Sequence, residues 1–344
     1  MDLELQLLGD VPVARLIDRA RLAEANNYSA VWVSDERFYR DVYMCLAQIA
    51  THTGRVRVGT SVTDPYIRHP ALTAVAMATL DEISGGRAVL GIGAGISGFA
   101  ELHIDRRQPA RAMREAIAVI RSILNGEAVD FHGDVIALNH ARLSFPALRA
   151  QIPVYVASNG VMGQRMAAEV ADGLIVNACA SIAEVHALHA AVNEAAGRAG
   201  RDPRAVKIVA RLNTCVADDR AARDAVRPSV ARYLGGPVHL RTLASQGLAL
   251  PAEALARIPS VRYSAGTAPY LPLLPLVTDQ HVDALTLAGT VDEVVAHAIS
   301  LRDAGVDAII ARPTAPNADM HDETIYRLGA EVWPRLQSSE SSLP

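Results

Sequence analysis

The strongest constraint on the fold of this 344-residue chain is an alternation that runs almost from end to end. Short runs rich in Val, Ile and Leu recur eight times, each followed by a stretch with helical spacing. The runs are LELQLLG (3–9), AVWVSD (30–35), VRVGTSVT (56–63), AVLGIGAG (88–95), IPVYVAS (152–158), GLIVNA (173–178), VKIVARLNTCV (206–216) and DAIIARP (307–313). Most are short continuous apolar runs, as expected of parallel strands buried on both faces. Eight βα units predict a (β/α)8 TIM barrel, one domain over residues 1–335, with 336–344 as a disordered tail. A doubly wound sheet with a second domain is the rival. Regular spacing and the lack of a mid-chain linker favour the barrel.

Helix boundaries support the same reading. Val13, Leu16, Ile17, Ala20 and Ala23 share one face of the first helix, with Asp10 as N-cap and Pro12 in the first turn. The third helix begins near Pro70, is expected to bury Leu72, Val75, Ala76, Leu80 and Ile83, and stops at Gly85-Gly86. Met113, Ile117, Ile120 and Leu124 form the buried face of the fourth. The last helix opens on Thr290-Val-Asp-Glu293, a capping-box spacing, and ends at Gly305. Two segments exceed a minimal barrel. Residues 126–150 read as a short irregular or β-like excursion. Residues 218–285 form a long insertion between the seventh and eighth strands, rich in Gly and Pro in YLGGP and SAGTAPYLPLLPLV. Insertions of that length act as lids or binding loops, with a structural cap or dimer contact as the alternative.

Composition excludes several classes. Half the residues are hydrophobic, ample for a large core. A net charge of −4 gives no reason to expect nucleic acid or an acidic membrane surface as partner. No apolar run is long enough for a transmembrane helix, and MDLELQLLGD lacks the regions of a signal peptide. Cys45, Cys179 and Cys215 are widely spaced, which fits neither a disulfide framework nor a zinc site, and suits a reducing cytoplasm.

In a (β/α)8 barrel the chemistry lies at the C-terminal ends of the strands. Strand two ends in Ser34-Asp35-Glu36-Arg37. Strand three ends in Thr60-Ser61-Val62-Thr63-Asp64, followed by Pro65-Tyr66-Ile67-Arg68-His69-Pro70. Strand four ends in Gly91-Ile92-Gly93-Ala94-Gly95, strand five in Ser158-Asn159-Gly160-Val161-Met162-Gly163, and strand six in Asn177-Ala178-Cys179. Strand seven carries Arg211, Asn213 and Thr214, and strand eight ends in Arg312-Pro313. SNGVMGQ opens a helix, where glycines and the helix N-terminus favour a phosphate. GIGAG is not a dinucleotide fingerprint, because SGFAELHIDRRQP separates it from the next helix and no ribose-binding acid follows. His186 and His189 lack a carboxylate partner in register and read as a solvated or packed pair. Cys179 and Cys215 read as buried thiols. The acid–base candidates are Asp35, Glu36, Asp64, His69 and Glu101.

As a set, VWVSD (31–35), GTSVTDPYIRHP (59–70), DEISGGRAVLGIGAG (81–95), REAIAVIRSILNGE (114–127), IPVYVASNG (152–160), EVADGLIVN (169–177) and LAGTVDEVVAHAISLRDAGVDAII (287–310) resemble the bacterial-luciferase-like superfamily of flavin and deazaflavin oxidoreductases. Within it the resemblance is to coenzyme F420-dependent enzymes of the methylenetetrahydromethanopterin reductase type, over residues 3 to 335. It implies a non-prolyl cis peptide at Ser61–Val62, forming a bulge behind the cofactor ring. It implies Asp35, Thr60, Ser61, Val62, Thr63, Gly93, Ala94 and Gly95 around the deazaflavin. Ser158, Asn159, Gly160, Val161 and Met162 would hold its phosphate, with Asn177 nearby. Asp35 would orient the cofactor, and Glu36 or His69 would carry a proton. The implied activity is hydride transfer between deazaflavin C5 and a small organic substrate such as an imine, enone or alkene, in a homodimer, with the insertion covering the substrate.

The sugar-phosphate dehydrogenases of the group have His where this chain has Glu36, and an acid where it has Ile96. Oxidation of a sugar phosphate is therefore not implied. An FMN-dependent monooxygenase fed by a separate reductase is the second reading, and the GTSV sequence favours the deazaflavin over it. A non-catalytic flavin-binding or assembly subunit is the third.

Overall fold

The computed structural model describes residues 1–235, 243–244, 246–256 and 266–338. The fold class is a (β/α)8 barrel, whose eight parallel strands are β1 (Asp2–Leu7), β2 (Ala30–Val33), β3 (Arg57–Thr60), β4 (Ala88–Gly93), β7 (Val154–Ala157), β8 (Gly173–Asn177), β9 (Lys207–Val216) and β11 (Ala308–Pro313). Three further strands, β5 (Val129–His132), β6 (Ala137–Ala141) and β10 (Thr286–Gly289), are additions to that plan. The chain divides into two compact units. An N-terminal unit holds Glu4–Ile175 and Ala191–Lys207, and a C-terminal unit holds Met1–Leu3, Val176–Ala190 and Ile208–Pro344.

In the N-terminal unit, β1, β2, β3, β4, β7 and β8 pair in that order, all parallel. Their apolar runs are buried, as strands covered on both faces require. The helices between them are α1 (Val13–Ala25), α2 (Val42–His52), α3 (Pro70–Ser84), α4 (Pro109–Leu124) and α5 (Val161–Val170). All four residues expected on the inner face of α4 are buried. Gly85 ends α3 in the left-handed conformation.

Two expectations about helices fail. Pro12, not Asp10, occupies the N-cap of α1, with no side-chain cap. The face of α3 is turned by about one residue, roughly 100°. Thr73, Ala74, Met77, Ala78, Leu80 and Asp81 are buried, while Leu72, Val75 and Ile83 are 56%, 38% and 43% exposed. The buried stripe is small and partly polar, because Asp81 is held by Arg149 and by the Ala88 N–H. Hydropathy pointed to the other side.

The excursion at 126–150 contains an antiparallel pair, β5 with β6. Glu115 of α4 clasps its turn, accepting from the N–H groups of Asp134, Val135 and Ile136 at 3.0, 3.0 and 2.9 Å.

In the C-terminal unit, β9 pairs with all of β11 through Val209–Thr214, and with β10 through its own last four residues. The four-residue β10 went unread in the sequence. Helices α6 (Ile182–Arg198), whose start lies in this unit, and α7 (Ala221–Leu234) follow β8 and β9. The insertion is folded where it is described. Val226, Val230, Ala231 and Leu234 of α7 bury against Leu273, Val277, Val282 and Leu285, with Cys215 of β9 in the same cluster. The remainder of the insertion, at 236–242, 245 and 257–265, lies outside the described residues. Thr290 and Glu293 form the expected capping box. The expected tail is partly helical. Residues Trp333–Ser338 form a helix and Leu336 is fully buried, while 339–344 lie outside the described residues. No helix among the described residues is long and apolar enough to cross a membrane.

Candidate active site at the C-terminal ends of the strands

The exit of β3 is built by hydrogen bonds from its neighbours. The Ser61–Val62 peptide is cis. Gln6, on β1, donates through Nε2 to Ser34 Oγ at 2.9 Å, Ser61 O at 3.0 Å and Ser61 Oγ at 3.1 Å. Ser61 N donates to Val33 O at 2.8 Å, and Thr63 N to Gly91 O at 3.0 Å. Thr60 Oγ1 donates to Gly91 O at 2.7 Å. Gly91 has a steric reason. A Cβ there would lie 2.0 Å from Thr60 O, so any side chain would drive β3 and β4 apart. At Gly93 a Cβ would meet Val62 Cγ2 at 2.8 Å. The glycines of GIGAG thus admit the bulge.

Asp35 emerges from β2 beside this bulge. Its Oδ2 accepts from Thr63 Oγ1 at 2.8 Å, and its Oδ1 lies 3.2 Å from Arg37 Nη1. Arg37 also pairs through Nη2 with Asp64, whose side chain is almost wholly buried. Asp64 Oδ1 accepts from the N–H groups of Tyr66 and Ile67 at 2.8 and 3.0 Å, fixing the turn after β3. Both oxygens of Asp64 are therefore committed. Asp35 remains part exposed, with its side chain 23% accessible. Glu36, next in sequence, is half-buried and has no side-chain hydrogen bond among the described residues.

His69 sits differently from its sequence reading as a proton carrier. It is the N-cap of α3. Nδ1 accepts from Ala71 N at 3.2 Å, and Nε2 lies 3.3 Å from Ala137 O of β6. Both ring nitrogens face backbone groups. Glu101 falls in the turn after Phe99.

Tyr43, Phe99 and Arg106, neighbours of the site, were not singled out in the sequence. Arg37 and Arg106 each lie 5.9 Å from the centroid of the Phe99 ring, and Tyr66 meets that ring edge-on. The Arg68 guanidinium lies 4.7 Å from the Tyr43 ring centroid. Burial pushes the Tyr43 phenol up, as does the Asp35 charge nearby, against the opposing effect of Thr63, Arg68 and Thr73. The signal for these residues was tertiary. Arg37, Tyr66 and Arg68, by contrast, stand in the runs that follow strands two and three in the chain.

The loop after β7 leads into α5 through Gly160. No side chain caps α5. Gly160 N donates to Ser158 Oγ at 3.1 Å, which folds the loop back. Gly163 is needed for close packing, since a Cβ would lie 2.2 Å from Ser158 Oγ. Val161 and Met162 are 42% and 74% exposed, so the N-terminal turn opens outward. An uncapped helix N-terminus with small residues around it suits an anion. Asn177, expected with this group, lies in the C-terminal unit, where its Oδ1 accepts from Arg211 Nη1 at 2.7 Å.

The luciferase-like monooxygenase family matches residues 3–308. The chain is 34% identical to the 5,10-methylenetetrahydromethanopterin reductase of Methanolobus tindarius, over 93% of this chain and 96% of that protein. It is 32% identical to the reductase of the same name from Archaeoglobus fulgidus, over 98% of this chain and 100% of that protein. The solved coenzyme F420-dependent tetrahydromethanopterin reductase of Methanopyrus kandleri superposes with a TM-score of 0.86 at 26% identity, covering 97% of this chain and 99% of that one.

Proposed function

Because the chain belongs to the luciferase-like monooxygenase family, we propose that it is a coenzyme F420-dependent oxidoreductase of the methylenetetrahydromethanopterin reductase type. The observation that carries this reading is near-full-length likeness to reductases of that name, coupled to a strand-end site whose residues suit the coenzyme. When bound, the coenzyme supplies or accepts a hydride at its C5 carbon. The chain's own residues orient and neutralise. The first turn of α5, Val161 to Gly163, offers backbone donors for a phosphate. The bulge at Ser61–Val62 gives a wall fixed by Gln6 and Gly91. Asp35, steadied by Thr63 and Arg37, offers a directed acceptor. Glu36 is preferred over His69 as proton carrier, because its carboxylate is not committed to the fold while the His69 ring is. The substrate is a small organic molecule with an electrophilic carbon, such as an imine, enone or alkene.

We also propose a homodimer. Met44 on α2 and Leu72, Val75 and Ile83 on α3 are large apolar side chains left exposed on neighbouring helices. Sedimentation of the purified protein as a monomer at micromolar concentration would refute it.

The decisive test is a pair of fluorescence titrations of the purified protein, one with coenzyme F420 and one with FMN. Saturable F420 binding is expected. Tight FMN binding without any response to F420 would replace the proposal with a flavin monooxygenase.

A further inference from the structure

The C-terminal ends of β8, β9 and β11 gather side chains of which only Asn177 has a part in the site described above. Arg211 and Asn213 are two residues apart on β9 and so share one face. Arg312 stands opposite Asn213 in the parallel register of β9 and β11. Asn177 closes β8, and the following N–H, of Ala178, donates to Arg211 O at 2.8 Å. Tyr233 arrives from α7. Arg211 Nη1 donates to Asn177 Oδ1 at 2.7 Å, Tyr233 Oη at 3.0 Å and Asn213 Oδ1 at 3.2 Å. Tyr233 Oη donates to Asn177 Oδ1 at 3.4 Å, longer than the ~2.5–3.0 Å of an ordinary O–H···O bond.

Two features make this more than a strand-end closure. Arg211 and Asn213 are 8% and 1% exposed, so a guanidinium has been taken out of water at the end of the strands where barrels bind ligands. The phenol reports the local field. Burial pushes the Tyr233 phenol up, yet Arg211 and Arg312 outweigh burial and hold it below the usual phenol value. Tyr28, equally buried, is pushed up by burial. The potential at Tyr233 Oη therefore favours negative charge on oxygen. Guanidinium groups match carboxylate and phosphate oxygens in a planar fork. The Asn213 carboxamide, whose oxygen accepts from Arg211, is fixed with its nitrogen as a donor.

We propose that Arg211, Tyr233, Asn177, Asn213 and Arg312 form a subsite for an oxyanion, a carboxylate or phosphate carried by the substrate. That the oxyanion belongs to a substrate rests on the oxidoreductase reading; that the cluster binds one does not.

The full-length protein, labelled with 3-fluorotyrosine, is titrated with inorganic phosphate and separately with acetate. Sodium chloride holds the ionic strength constant, and fluorine NMR follows the signals. Tyr233→Phe identifies the Tyr233 signal among the nine tyrosines. A saturable shift of that signal is expected with one or both anions, and the anion that saturates at the lower concentration names the group. Arg211→Gln should raise the midpoint at least tenfold. Asn177→Asp, which keeps shape and adds a negative charge, should do the same and serves if Arg211→Gln does not fold. A drift no larger than with chloride, or a saturable shift unchanged in the folded variants, would overturn the subsite. Coenzyme F420 fluorescence on the same samples keeps the two readings apart. Loss of F420 binding with the anion shift intact removes the function proposed above and leaves the subsite standing.

Discussion

The two ends of the strands in the N-terminal unit use the same residue types to opposite effect. At the N-terminal ends, carboxylates are saturated. Glu4 accepts from Trp32 Nε1 at 2.7 Å and Arg57 Nη2 at 2.6 Å. Asp81 holds Arg149 in a fork and also takes the Ala88 N–H. At the C-terminal ends, Asp64 is closed in this way, but Asp35 stays part exposed, Glu36 is uncommitted and α5 begins without a cap. A fully satisfied end contributes stability. An end with polar capacity left over can bind, and the departure from local satisfaction marks where function lies.

Removing a carboxylate from the closed end should therefore cost the most. Asp81→Ala strands the Arg149 guanidinium and the Ala88 N–H. Breaking such a pair costs about 3 kcal/mol, at the low end of the usual range because Arg149 is one-third exposed. Urea unfolding should show that loss, while the folded fraction binds coenzyme F420 as the parent does. A large loss of F420 affinity in folded Asp81→Ala would mean that the two ends are not separable.

Gly91→Ala should come next, and it should act on both properties. Its Cβ would lie 2.0 Å from Thr60 O, a backbone atom that cannot move without the strand. Overpacking of this kind costs about 1–3 kcal/mol. Because the displaced atoms belong to the bulge, F420 binding should fall more than stability does. Thermal melts and F420 titration on one sample compare the two, and unchanged F420 binding would detach the bulge from the cofactor site.

How far the sequence carried follows from the range of the interactions. The βα alternation, the α4 face, the Gly85 stop and the Thr290–Glu293 capping box all depend on residues within a few positions of each other, and all were legible. The α3 face was not. Its inward stripe includes Thr73 and Asp81, and what makes Asp81 tolerable inside is Arg149, 68 residues away. The same holds at the site. Asp35 was visible at a strand end, but Thr63, Arg37, Tyr43 and Phe99 meet there only after folding. His69 was an acid–base candidate in the sequence, and its ring faces the Ala71 N–H and the β6 carbonyl. The four-residue β10 is too short to carry a period.

Asp35→Asn is the milder probe of the open end. It keeps an oxygen for Thr63 Oγ1 and removes the charge facing Arg37. Arg37 keeps its pair with Asp64, so the melting temperature should stay within about 2 °C. Coenzyme F420 should bind roughly tenfold more weakly, or ~1.4 kcal/mol. Equal affinity in the variant would remove Asp35 from the cofactor site.

The smallest effect concerns one device used twice. Glu24 accepts the N–H groups of Gly54, Arg55 and Val56 before β3, and Glu115 accepts those of Asp134, Val135 and Ile136 in the β5–β6 turn. In each, burial pushes the carboxyl up, but the backbone donors and a nearby arginine outweigh it and leave it below the usual 4.5. A folded-state value below the unfolded one means that each carboxylate's stabilisation is complete above about pH 4.5 and is lost as pH falls through the lowered value. Glu24→Gln and Glu115→Gln should each cost about 1 kcal/mol at pH 7, and the gap from the parent should shrink towards pH 3. The two should then part company. Glu115 steadies the hairpin whose Ala137 carbonyl meets His69, so Glu115→Gln should also free the His69 ring and move its NMR signals at pH 7, while Glu24→Gln should leave them as they were. His69 ring signals that are the same in both variants would show the hairpin to be held by its strands rather than by the clasp.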